Sequence, residues 1–141
     1  MYDKIDNLDL SYVFDELTDA ERGGGFTAEK AKDAITSYRF FLKLRAKHSK
    51  DELVPTETID KVWHSHILHT ERYTKDCNDI FGRYIHHRPS FKKSPAELKR
   101  MKEKFKLTQK LMFEEFGTPL ENLAMGFCLD PSESCCCWEV L

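Results

Sequence analysis

The sequence predicts an all-α fold: a compact single-domain bundle of about five helices with a central His/Cys-bearing helical hairpin. Three observations predict it. Apolar residues recur at three- and four-residue spacing in five separate segments. Caps and breakers fall between those segments. No segment alternates polar and apolar residues as a half-buried strand does.

The first helix is expected from about Ile5 to Ala20, with Ile5, Leu8, Tyr12 and Leu17 on one side, ending at Gly23, Gly24 and Gly25. Thr27 caps a second, whose wide stripe (Ala31, Ile35, Tyr38, Phe41, Leu42) places it centrally. After a polar link from His48 to Glu52, Thr56 caps a third helix reaching about His69. A fourth begins near Glu71 and ends at Gly82 or soon after, with Pro89 as a firm stop. The fifth has the clearest start, with Ser94 as cap, Pro95 at the first helical position and Glu97 for a capping box. Its apolar face is Leu98, Met101, Phe105, Thr108, Met112 and Phe116, and Gly117 with Pro119 ends it.

A chain of 141 residues is long enough for one hydrophobic core, and 40% apolar residues including ten Phe, five Tyr and two Trp supply its anchors. The single helical domain is placed at residues 1–127, with a Cys-rich tail at 128–141. A net charge of -2 gives no general attraction to nucleic acid or anionic membrane. No apolar run approaches the roughly 20 residues of a membrane span, and the acidic start does not read as a signal peptide. A cytoplasmic protein with reduced thiols is expected, because five cysteines, three of them consecutive, make a poor disulfide framework.

The chemistry is concentrated in residues 59–87, which hold five of the six histidines. Ile59, Val62, Trp63 and Ile67 form the apolar stripe of the third helix, and His66 falls inside it. His64 points elsewhere, since residues two apart on a helix do not share a face. Asp60 lies one turn before His64, where it can accept from the ring and fix its tautomer. On the fourth helix Tyr73, Cys77, Ile80, Phe81 and Tyr84 share a side. A short link near Thr70 would turn His66 and Cys77 toward one layer, with His86 and His87 following. Imidazole and thiol donors suit a transition metal, zinc above others, held by His66, Cys77, His86 or His87, with His64 a further ligand. No CxxC or paired HxxxH is present, so two readings stay open beside metal: a metal-free Cys77/His enzyme site, and structural polar groups in a non-catalytic interaction domain that meets a protein partner.

The runs YRFFLKLRAKH (38–48) and LVPTETIDKVWHSHILHTERYTKDCNDIFGRYIHHRPSF (53–91) resemble the glycine-rich domain-containing protein-like family. That family groups small bacterial proteins with the N-terminal region of larger plant glycine-rich domain proteins. The resemblance rests on D-x-x-W-H-x-H, Y-x-x-D-C and F-G-R-x-x-H-H. It implies a helical domain whose motif positions are Asp60, Trp63, His64, His66, Tyr73, Asp76, Cys77, Phe81, Gly82, Arg83, His86 and His87. Asp60, Tyr73, Asp76 and Arg83 are then expected to support the ligands, and His69 occupies a variable position. Where the family usually continues with Pro-aromatic-Phe-Gly, this chain has Arg88-Pro89-Ser90-Phe91-Lys92. The resemblance names no reaction, and no nucleotide cofactor is expected.

Lys99, Lys102, Lys106 and Lys110 stripe the fifth helix opposite its apolar face, the pattern of a solvated side more than of a nucleic-acid surface. Cys128, Cys135, Cys136 and Cys137 make a second candidate thiol site. Trp138 stands where a prenylation signal would need cysteine.

Overall fold

A computed structural model describes residues 2–21, 24–87 and 94–117. Among these are six helices and no strand: α1 (Tyr2–Asp6), α2 (Ser11–Thr18), α3 (Ala28–Lys47), α4 (Glu57–Leu68), α5 (Thr70–Phe81) and α6 (Pro95–Phe116). None is long and apolar enough to cross a membrane. The all-α expectation holds, with one difference at the N-terminus. The single helix expected over 5–20 is two. Asp9 Oδ1 accepts from both the backbone N–H of Ser11 (3.1 Å) and its hydroxyl (2.6 Å), and this local bonding competes with a continuous helical ladder.

The other boundaries follow the cap chemistry. The side chains of Thr27, Thr56 and Ser94 accept from Lys30, Ile59 and Glu97 N–H, each at 3.1 Å. At Ser94 the box is not reciprocal, because the Glu97 carboxylate turns to Arg100. Gly82 and Gly117 end α5 and α6 at φ of 72° and 66°, a left-handed conformation that only glycine adopts at no steric cost.

The wide stripe of α3 puts it at the centre, where it touches α1, α2, α4 and α6. Tyr38, Phe41 and Leu44 on α3 are buried with Ile59, Val62 and Trp63 on α4 and Tyr73 on α5. The rings of Phe41 and Trp63 lie 5.4 Å apart. Each such side chain contributes about 1.5–3 kcal/mol by leaving water. Arg39 latches α1 to α3 by donating to the carbonyls of Ile5 (2.7 Å) and Leu8 (3.0 Å). A smaller cluster of Val54, Leu98, Met101 and Phe105 seats the start of α6 against the segment before α4. Thr108 reinforces it, its hydroxyl accepting from Val54 N–H (2.9 Å) and donating to Lys104 C=O.

Candidate metal centre

The start of α4 places the first donor. Thr56 caps the helix, and Asp60 N–H donates to Thr56 C=O at 2.9 Å, so Asp60 lies in the first turn. One turn later His64 occupies the same face. The third donor arrives from beyond α5. Gly82 stops that helix, and the returning segment is pinned by Tyr73, whose hydroxyl donates to Ile85 C=O (2.6 Å) and accepts from Trp63 Nε1 (2.9 Å). Trp63 in turn forms a platform for His87. The two rings stack with centroids 4.2 Å apart and planes 19° from parallel.

The outcome is a convergence of Asp60, His64 and His87. Their nearest ligand atoms lie within 4.8 Å of one another, and among the described residues no other His, Cys, Asp and Glu side chains gather in this way. His64 Nε2 is 3.0 Å from His87 Nε2, His87 Nε2 is 2.7 Å from Asp60 Oδ1, and His64 Nε2 is 3.4 Å from Asp60 Oδ2. Asp60 is 0% exposed, and its carboxylate oxygens meet the two ring nitrogens at ion-pair distance without hydrogen-bond alignment. Burial pushes the His64 imidazole below its ordinary range, opposed by the Asp60 charge and assisted by His87. A neutral ring offers a lone pair. Donors spaced at 2.7–3.4 Å match the separation of about 3.3 Å that tetrahedral bonds of ~2.0–2.1 Å impose.

His66 leaves α4 in a different direction and is fully occupied. Its Nδ1 pairs with Tyr38 Oη and its Nε2 with Asp76 Oδ2, both at 2.8 Å, and the ring is 1% exposed. Burial lowers its basicity most, while Asp76 raises it. Tyr38, buried completely, has its hydroxyl held well above the usual tyrosine range. Cys77 is buried beside Tyr73 and the Ile85 backbone, and burial raises its thiol above the ordinary value. His86 is exposed, with its ring against Tyr84 at 4.8 Å.

A comparison of the whole chain decides the family. The model of the UCP032817-like family matches residues 5–123. The chain belongs to that family. It is also similar to two Arabidopsis thaliana proteins. Glycine-rich domain-containing protein 2 is 35% identical over 60 residues, 40% of this chain and 8% of that protein. Glycine-rich domain-containing protein 1 is 30% identical over 91 residues, 62% of this chain and 11% of that protein. The chain thus spans about a tenth of these relatives' length. No solved structure matches it significantly.

The polar residues that the sequence singles out divide between two places in the structure. Of the ligands the sequence suggests, His64 and His87 converge, His66 and Cys77 lie outside the converging set, and His86 faces solvent. Asp60, expected behind His64, stands level with the two rings as a third donor. Its spacing of four from His64 was the available signal. Tyr73 acts as the pin described above, and Asp76 bonds His66. Arg83 is exposed on the wall of a cleft of ≈ 590 Å³ that His87 and Trp63 also line. His69 bonds Ser65 C=O (3.0 Å) and pairs with Glu16 (3.1 Å), away from the cluster. Cys128, Cys135, Cys136 and Cys137 lie outside the described residues.

Proposed function

We propose that this domain binds one divalent transition metal, zinc or iron(II), through an Asp60 carboxylate oxygen, His64 Nε2 and His87 Nε2. The observation that carries the reading is the Asp60 carboxylate, which is wholly buried and has the His64 and His87 ring nitrogens as its close polar neighbours, in ion-pair contact without hydrogen-bond alignment. A buried carboxylate whose charge is met only by two imidazoles is costly to keep unless a proton or a cation joins them. A cation among the three donors removes that cost and draws the two nitrogen lone pairs together.

Two imidazoles and one carboxylate are a donor set that zinc and non-haem iron(II) both accept. Three protein donors leave coordination positions for water or a substrate, the arrangement of a working metal and not of a closed structural one. Such an ion would act as a Lewis acid or lower the pKa of a bound water. Trp63 supports the site by fixing the plane of His87.

Titration of chelator-stripped protein tests this. Adding zinc chloride, or a ferrous salt without oxygen, to 100 times the Kd stabilises the fold by about 2.7 kcal/mol. For a chain of this size that raises Tm by roughly 10 °C. Unchanged melting with both metals would remove the proposal.

A further inference from the structure

We infer that the cleft beside this centre is an anion site, in which Arg45 and Arg83 hold the carboxylate or phosphate group of a small-molecule ligand. The inference deepens the metal reading by naming a ligand class for the same region, but the anion contact itself rests on the arginines.

The cleft, ≈ 590 Å³, lies between the end of α3, the segment preceding α4, residues 83–87 and the start of α6. Its size falls within the ~300–1,000 Å³ of small-molecule sites. Its charges are not equally engaged. Arg100 is taken up by Glu97, with Nη2 to Oε1 at 2.7 Å and Nε to Oε2 at 3.1 Å, and by Glu52. Asp51 faces His48 at 3.4 Å. The Glu52 and Glu97 carboxylates on the wall are therefore already paired with Arg100.

Arg45 and Arg83 are not so paired among the described residues. Arg45 donates from Nη1 to Asp51 C=O at 3.3 Å, while its Nε is buried with no hydrogen-bond partner. Among the described residues Arg83 forms neither a hydrogen bond nor an ion pair. Both side chains line the cleft, and after burial the Arg83 charge lowers the Arg45 pKa from its ordinary value. Arg45, part-buried with an unspent Nε–H, gains from an anion in the cleft, and the exposed Arg83 brings a second positive charge to the same lining. The planar guanidinium fork matches carboxylate and phosphate oxygens two at a time. Trp63, Leu53, Val54 and Met101 offer apolar wall for the remainder of the ligand, and His87 places its head beside the proposed ion.

Calorimetric titration of the full chain with inorganic phosphate and with malonate, against sodium chloride at matched ionic strength, tests the inference. It is run on metal-stripped and metal-loaded protein, and on Arg83→Gln and Arg45→Gln. Saturable binding of phosphate or malonate is expected, with the preferred probe naming the head group. Arg83→Gln weakens it about tenfold at unchanged metal content, since one charged hydrogen bond is worth about that factor. Arg83 is exposed, so this variant remains informative even where Arg45→Gln fails to fold. No saturable binding by wild type in either state, or equal affinity in the folded arginine variants, overturns the inference. Binding that needs the metal and ignores both arginines overturns it while leaving the metal reading intact. Binding that persists in Asp60→Asn protein and is lost in Arg83→Gln supports it even where the metal reading has failed.

Discussion

His64 and His66 sit two residues apart on α4, so their rings leave the helix in different directions and enter polar clusters of opposite character. Around His66 every hydrogen-bonding capacity is spent, with Tyr38 on one nitrogen and Asp76 on the other, both at 2.8 Å. Around His64 the donors face one another, and the buried Asp60 carboxylate meets only ring nitrogens, at ion-pair distance without hydrogen-bond alignment. Burial and residue type are shared by the two clusters. What separates them is satisfaction: a saturated histidine holds a fold together, whereas the buried groups turned toward a common point are the ones proposed to take a cation.

The contrast can be broken most forcefully at His66. His66→Ala removes a buried ring and strands the Tyr38 hydroxyl and Asp76, so urea unfolding should register a loss of about 3 kcal/mol or more, with or without metal. A loss below 1 kcal/mol would show that the His66 network is not structural. Asp60→Asn should behave in the opposite manner. In stripped protein it removes a buried charge that only two imidazoles face, and should change stability little. In the presence of zinc at 100 times the wild-type Kd it should forfeit the stabilisation of about 2.7 kcal/mol. A variant equally destabilised in both conditions would make Asp60 a structural residue like Asp76.

Proton linkage gives a smaller effect. In stripped protein both histidines are held below the ordinary value in the folded state, mainly by burial. Below about pH 6.5 the unfolded chain therefore binds more protons than the folded one. Stability should be full above that pH and fall as pH drops from there toward the lower folded-state values. His64→Gln should flatten the slope in a urea series without abolishing it, because His66 still contributes. An unchanged slope would contradict the burial of His64. The smallest effect belongs to Thr56→Ala. It removes the cap shared by both clusters and should cost about 1 kcal/mol in the same assay, while the Asp60→Asn contrast survives in its background.

Much of the fold was legible because its signals are local. Thr27, Thr56, Ser94, Gly82 and Gly117 mark helix ends through bonds to residues a few positions away. The break at Asp9 escaped the periodicity because Ile5, Leu8, Tyr12 and Leu17 keep their spacing across it, and a single side chain redirects the backbone. The site was legible as a region, since the histidines crowd residues 59–87. Its grouping was less so. His66 falls in the apolar stripe and reads as an inward-facing ligand. Its partner Tyr38 lies 28 residues away on α3, at a distance no local pattern reports. His87 reaches the cluster only through the turn at Gly82, the Tyr73 pin and the Trp63 platform. By contrast, Asp60 and His64 are four apart on one helix and could be paired from spacing alone.

Element-resolved metal content of the untagged, purified chain tests the central claim most directly, measured on wild type, Asp60→Asn and Cys77→Ser. The account predicts close to one zinc or iron per chain in wild type, retained in Cys77→Ser and lost in Asp60→Asn. Metal-free wild type after growth with both metals supplied, or metal lost from Cys77→Ser and kept in Asp60→Asn, would contradict it.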